Sequence, residues 1–123
     1  MPQNSINKPY DLEERTFQFA KGIRLFIKSL EKTIANFEDI KQVVRSSGSV
    51  GANYIEANES LSKKDFVFRI KISRKEAKES IYWLRLINET NELANKKVAE
   101  ELIQESTELK KIFSSIIEKS KSD

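Results

Sequence analysis

The chain has 123 residues, of which 33% are charged, and it carries a formal net charge of +3. It contains no Cys, which excludes disulfides and cysteine-ligated metal sites, and no His, the commonest general base at neutral pH. With only three Gly and two Pro it has few of the turn residues that sandwiches and barrels need, so we expect long helices in a single domain.

Residues 1–10 form a polar lead that lacks the apolar region of a signal peptide, and no apolar run approaches the ~20 residues of a membrane span. We therefore expect a cytoplasmic protein that does not act at a membrane. From Asp11 onward, apolar residues recur every three or four positions as far as Ile34. This spacing predicts a first helix over residues 11–35, with Asp11 as its N-cap.

The same spacing predicts three further helices, over residues 37–61, 63–91 and 95–120. Ser62, followed three residues later by Asp65, is typical of an N-cap and marks the start of the third helix. The connections between the helices are very short, and short connections force consecutive helices to run antiparallel. The expected fold is therefore all-α: an antiparallel up-down-up-down four-helix bundle over residues 11–121.

The second predicted helix contains a run of poor helix formers, residues 45–53, with glycines at 48 and 51. The helical spacing nevertheless continues through the run. A local kink would explain the glycines, but we favour close packing, in which another helix backbone approaches Ser47, Gly48 and Gly51. In that case a large side chain at position 51 would overpack the contact.

The third predicted helix carries two apolar stripes, although a helix in a monomeric bundle usually buries one. The second stripe contains the only Trp of the chain. It comprises Phe68, Ile72, Trp83 and Leu86. This stripe either widens the core toward a neighbouring helix or forms a subunit interface. We favour a homo-oligomer interface, because aromatic anchors flanked by charge are typical of one.

Basic residues are concentrated in two places. Residues 63–75 hold six Lys or Arg against one Asp, and Lys21, Arg24, Lys28 and Lys32 share one ridge of the first helix. These charges either solvate exposed helix faces or contact a phosphate backbone. The candidate contacts are Lys21, Arg24, Lys28, Lys63, Lys64, Lys71, Arg74 and Lys78. No exposed stacking aromatic is apparent from the pattern, which argues against sequence-specific readout of a single strand.

No catalytic or metal-binding constellation is present in the sequence. Glu56/Glu59 and Glu76/Glu79 have the spacing of paired carboxylates on one helix face, but metal sites in helical bundles combine such carboxylates with His. We therefore expect no enzymatic activity, no metal and no cofactor.

The sequence resembles the 23S rRNA intervening-sequence proteins, a family of four-helix-bundle proteins. The strongest resemblance is the segment Arg45-Ser-x-x-Ser-Val-x-Ala-Asn-Tyr-x-Glu-Ala57. Lys64-Asp-Phe66, Lys75-Glu-Ala-x-Glu-Ser80 and Tyr82-Trp-Leu84 extend it. The motif residues are Arg45, Ser49, Asn53, Glu56, Lys75, Glu76 and Glu79.

The resemblance implies a bacterial protein that assembles as a homopentamer and has no enzymatic activity. Related accessory proteins of diversity-generating retroelements bind nucleic acid and a reverse transcriptase through a basic surface. The predicted function is therefore a non-enzymatic oligomer that binds RNA or DNA through its basic ridges. The alternative is a protein–protein scaffold, or an accessory subunit of a protein such as a reverse transcriptase, in which the charges serve solubility only.

Overall fold

A computed structural model describes residues 11–94 and 96–121, and the predicted polar lead lies outside them. Within these residues there are four α-helices and no strand. The helices are α1 (Leu12–Ile27), α2 (Ile34–Asn58), α3 (Lys63–Thr90) and α4 (Lys96–Lys121). At 1.5 Å per residue, α1 is about 24 Å long and the other three are about 38–42 Å long. The prediction of an all-α protein with four long helices is confirmed.

The helices form a bundle in which each helix packs on two neighbours: α2 on α1 and α3, and α4 on α3 and α1. Within the described residues α1 does not contact α3, so these two helices occupy opposite corners. Paired contacts show that neighbours run antiparallel. Arg45 of α2 meets Glu79 of α3, whereas Asn53, farther along α2, meets Arg69, which comes earlier in α3.

The core lies along the bundle axis and is apolar on all four helices. Its fully buried side chains include Ile23, Val43, Val50, Ile70, Leu84, Leu109 and Phe113. Tyr54 is partly buried against this core, with its ring centroid 6.0 Å from that of Phe113. Burial of such side chains contributes roughly 1.5–3 kcal/mol each relative to exposure, so this core supplies the main drive for folding.

The first helix is shorter than predicted, because it ends at Ile27 rather than at residue 35. Thr33 caps the following helix by accepting a hydrogen bond from the Asn36 amide nitrogen, and the Asn36 side chain donates to the Glu31 carbonyl at 2.8 Å. Helix α2 therefore begins three residues earlier than predicted. Ile34, expected near the end of the first helix, is instead the first residue of α2 and is 87% exposed.

Other helix ends also differ from the expectation. Helix α2 ends at Asn58 rather than at residue 61, which leaves Leu61 exposed in the connection. Asp11 precedes α1 but makes no side-chain capping bond. Ser62 does cap α3, since its Oγ accepts from the Asp65 amide at 3.1 Å. Helices α3 and α4 lie within one residue of their predicted ranges, and the predicted first residue of the fourth, 95, lies outside the described residues.

The two glycines of α2 lie where another helix approaches closely. Helix α2 is continuous through both positions, so no turn interrupts it there. A Cβ atom placed on Gly51 would lie 2.7 Å from Oγ1 and 3.0 Å from Cβ of Thr16 on α1. One placed on Gly48 would lie 3.2 Å from the guanidinium of Arg24, also on α1. Close packing of α1 on α2 is therefore the reason for these glycines.

Candidate interaction surfaces

An ion pair joins α2 to α3 at the edge of the bundle. Nη2 of Arg45 lies 2.7 Å from Glu79 Oε1 and 3.2 Å from Glu76 Oε1. Glu76 is only 6% exposed, whereas the Arg45 side chain is half exposed. The hydrogen bond to Glu76 raises the pKa of Arg45, outweighing the opposite effect of burial. The guanidinium therefore stays charged beside a buried carboxylate.

The two oxygens of Glu76 are not equally satisfied. Oε2 accepts a hydrogen bond from Arg45 Nη1 at 3.4 Å. Oε1 lies at ion-pair distance from the same guanidinium, but no hydrogen bond from the described residues reaches it. A buried carboxylate depends strongly on its counter-ion, so we expect Arg45 to be important for holding α2 against α3.

Small polar side chains continue this contact, which we call the polar seam (residues 45–53 of α2 with 69–80 of α3). The Oγ atoms of Ser46 and Ser80 are hydrogen-bonded at 2.8 Å, and Ser73 Oγ donates to the Val50 carbonyl at 2.9 Å. Near its far end, Arg69 Nη1 donates to Asn53 Oδ1 at 2.9 Å. The short side chains let the two backbones approach, and their hydroxyls bond either each other or a backbone carbonyl.

Most of the family motif therefore joins two helices within one subunit. Within the polar seam, four of the seven motif side chains form contacts between α2 and α3, namely Arg45, Asn53, Glu76 and Glu79. Ser49 contributes its backbone carbonyl, which accepts from Asn53 within α2. Lys75 and Glu56 have exposed side chains that make no hydrogen bond or ion pair within the described residues. Both side chains are available to a partner.

The apolar stripe (Phe68, Ile72, Trp83 and Leu86) lies on the side of α3 that borders α2. Phe68 is 61% exposed, while the other three are partly buried. Trp83 packs against the core, and its ring meets that of Tyr82 edge-on at 4.9 Å. Trp83 is thus neither enclosed nor bare, and the stripe both widens the core and reaches the surface.

The α3 ridge (Lys64, Lys71, Arg74 and Lys78) lies on the side of α3 that borders α4. Arg74 Nη1 donates to Ser114 Oγ on α4 at 3.4 Å, which shows that this side of α3 lies next to α4. Lys64, Lys71 and Lys78 are exposed, and none forms an ion pair within the described residues. Lys63, the remaining candidate of this segment, is the first residue of α3.

The α1 ridge (Lys21, Arg24 and Lys28) is exposed along the outside of α1, with Lys28 just beyond its last residue. Arg24 lies across α2, where it donates to the Val44 carbonyl at 3.3 Å as well as to Ala20 in its own helix. Lys32, expected to extend this ridge in the same helix, lies in the connection to α2 instead. Because α1 and α3 occupy opposite corners, the predicted phosphate contacts form two separate surfaces.

Four aromatic side chains are exposed, so the expectation that no exposed aromatic is available for stacking is wrong. They are Phe17, Phe37, Phe68 and Tyr82. Phe37 keeps the apolar spacing of the second predicted helix, so the pattern alone does not indicate that it is exposed. Phe17 carried a usable signal, because it lies one turn before Lys21, on the charged rather than the apolar face of its helix.

Neither a metal site nor a membrane span is found in the described residues. No group of three or more acidic side chains there could hold a metal ion. None of the four helices is long and apolar enough to cross a bilayer.

Comparison with known proteins identifies relatives of the whole bundle. The sequence profile of the 23S rRNA-intervening sequence proteins matches residues 9–115. A crystal structure of a protein of unknown function from the S23 ribosomal protein family of Bacteroides thetaiotaomicron is similar, with a TM-score of 0.74 and 32% identity. The match covers 85% of this chain and 96% of that one. No curated protein matches. The chain belongs to the 23S rRNA-intervening sequence protein family.

Proposed function

We propose that this protein is a non-enzymatic homo-oligomer that binds the phosphate backbone of RNA or DNA. The observation that carries the proposal is the α3 ridge, where Lys64, Lys71 and Lys78 are exposed without a carboxylate partner in the described residues. A solvated helix face in a chain this rich in Glu would ordinarily pair such lysines with acids three or four residues away. Cations left unpaired on one ridge suit a polyanion.

Self-association is part of the proposal, with a homopentamer as the expected assembly. The apolar stripe borders α2, whereas the α3 ridge borders α4. Subunits that associate through Phe68 and its neighbours would therefore leave the ridge accessible. Each added subunit would then repeat the same row of cations, which strengthens binding to an extended polyanion without any new contact within a subunit.

A salt titration tests this function. Binding of a labelled RNA is followed by fluorescence anisotropy. We expect the logarithm of the binding constant to fall linearly with the logarithm of the salt concentration, because the phosphates release counter-ions when the protein binds. The Lys71→Glu/Lys78→Glu variant should bind much more weakly and with a shallower salt dependence. The Lys97→Glu/Lys111→Glu variant, with the same charge change on exposed positions of α4, is the matched control.

Two outcomes would contradict the proposal. One is the absence of binding at low salt. The other is equal loss of affinity in the two double variants, which would show a response to net charge rather than to the α3 ridge.

A protein–protein scaffold is the second candidate, favoured by the exposure of Phe68 and Tyr82 beside the partly buried Trp83. In that case the same apolar stripe would dock another protein, for example a reverse transcriptase, and the cations would serve solubility. A protein that fails to bind nucleic acid but still loses a partner when Phe68 is changed to Asp would support this candidate.

A further inference from the structure

The α1 ridge continues at both ends into an exposed aromatic ring. Phe17, one turn before Lys21, lies on the same outer face of α1 and is 60% exposed. Positions 17, 21, 24 and 28 follow the three- and four-residue steps of a single helix ridge. The ridge therefore begins with an aromatic ring and continues as a row of cations.

Beyond Lys28 the ridge opens into a groove of about 960 Å³ between the end of α1 and the start of α2. Its lining includes Arg24, Lys28 and Lys32 as well as the apolar side chains of Ile34 and Phe37. Phe37 is 64% exposed. The ammonium of Lys41 lies 5.5 Å from the centre of its ring. An exposed ring with a cation on one side suits stacking of another planar, electron-rich group.

The charges around the groove are complementary to phosphate. Lys21, Lys28 and Lys32 form no ion pair within the described residues. Of the two acidic side chains that line the groove, Glu38 is neutralised by Lys41 at 3.3 Å, which leaves Glu31. Arg24 is held above Gly48 by its bond to the Val44 carbonyl, so its guanidinium is oriented before a ligand arrives.

We infer that this track, from Phe17 along the α1 ridge to Phe37, binds single-stranded nucleic acid, with the two rings stacking on unpaired bases and the cations contacting phosphates. The inference rests on the proposed function and names its ligand class. Rings stack only on bases that are not enclosed in a duplex, and grooves that combine cations with such rings are typical of single-strand binding. The helical part of the track is about 17 Å long, enough for roughly five stacked nucleotides.

Affinities for a uridine oligonucleotide of about 12 nucleotides and for an RNA duplex of the same length test the inference. Phe17→Ala and Phe37→Ala should each weaken single-strand binding roughly tenfold and leave duplex binding within twofold, because only unpaired bases stack. Phe37→Trp, which keeps a stacking surface, should retain single-strand affinity. As the control for Phe37→Ala, Leu61→Ala removes a fully exposed apolar side chain at the end of the bundle opposite Phe37 and should have no effect.

The results distinguish this inference from the function on which it rests. Equal weakening of single-strand and duplex binding by Phe37→Ala, or no weakening at all, would overturn the track while Lys71→Glu/Lys78→Glu still reports on the α3 ridge. A change in subunit number on light scattering in Phe37→Ala would also overturn it, because the ring would then belong to a subunit contact. Failure of the unmodified protein to bind either RNA would remove both proposals.

Discussion

Asn36 and Asn91 exchange side-chain amide hydrogen bonds, from Asn36 Nδ2 to Asn91 Oδ1 at 2.8 Å and from Asn91 Nδ2 to Asn36 Oδ1 at 2.9 Å. The pair joins the start of α2 to the end of α3. Each amide also donates to a carbonyl, that of Glu31 for Asn36 and that of Ile87 for Asn91. The four bonds tie two helix ends and the connection after α1 into one network.

Replacing Asn36 with Ala should therefore destabilise the fold by about 1–3 kcal/mol, because it removes the reciprocal pair and leaves the Glu31 carbonyl and Asn91 Oδ1 without their donor at a part-buried site. Urea unfolding followed by circular dichroism measures this. Asn58→Ala, at the exposed other end of α2, is the matched control and should change stability by less than about 0.5 kcal/mol. Equal effects of the two changes would show that the reciprocal amide pair adds little.

The two glycines of α2 should respond oppositely to alanine. Gly51→Ala places a Cβ 2.7 Å from Thr16 Oγ1, so α1 must shift, and we expect a loss of about 1–3 kcal/mol despite the better helix propensity. Gly48→Ala meets only the exposed guanidinium of Arg24 at 3.2 Å, which needs to move by a few tenths of an ångström at most, so it should be neutral or stabilise by up to about 1 kcal/mol. Thermal unfolding of the two variants side by side decides the matter. A stabilised Gly51→Ala variant would contradict the close contact.

Removing Arg45, the partner of the buried Glu76 carboxylate, should lower the stability of the fold more than removing the more exposed Glu79 carboxylate. Arg45→Met leaves Glu76 buried and unpaired, which should destabilise the fold by about 1–3 kcal/mol. We expect a value in the lower part of that range, because the Arg45 side chain is half exposed. Glu79→Gln affects the more exposed pair and should cost less than about 1 kcal/mol. Adding Glu76→Met to Arg45→Met should restore part of the stability. An additive double variant would show that the two residues are not coupled.

The apolar stripe should control assembly. Phe68→Asp places a charge in the proposed subunit contact, and we expect the mass from light scattering to fall to that of a monomer at micromolar concentration, while the helical circular dichroism is retained. Phe17→Asp changes an equally exposed ring on α1 and should leave the assembly intact. A monomeric unmodified protein, or dissociation by both changes, would contradict the proposed contact.

The sequence was informative where the apolar spacing is long and uninterrupted. Along α3 the spacing runs from residue 66 to residue 87, and the Ser62 cap marks its start, so this helix was found within one residue. The end of α1 could not be found in the same way, because Leu30 and Ile34 continue the spacing through a turn. After Ile27 the backbone continues in tighter turns, and the connection is held by the Asn36 amide, whose partner Asn91 lies 55 residues away in sequence.

The candidate surfaces also differ in whether residue spacing alone can reveal them. The basic ridges and the second stripe follow from residue spacing on single helices. The polar seam does not, because the pairing of Arg45 with Glu76 and Glu79 depends on the axial offset between α2 and α3. Exposure of Phe37 was hidden for a related reason: Phe37 keeps the apolar spacing of α2, but α1 ends at Ile27, and Phe37 lines the open groove between the two helix ends.

The diagonal placement of α1 and α3 has an electrostatic consequence. With neighbouring helix axes 8–10 Å apart, opposite corners are about 11–14 Å apart at the axes, and their outward side chains are farther still. The Debye length at physiological ionic strength is only about 8 Å. Neutralising the cations of the α1 ridge should therefore hardly alter the electrostatic potential at the α3 ridge, and the reverse also holds. The chain's modest net charge does not describe the local potential at either ridge.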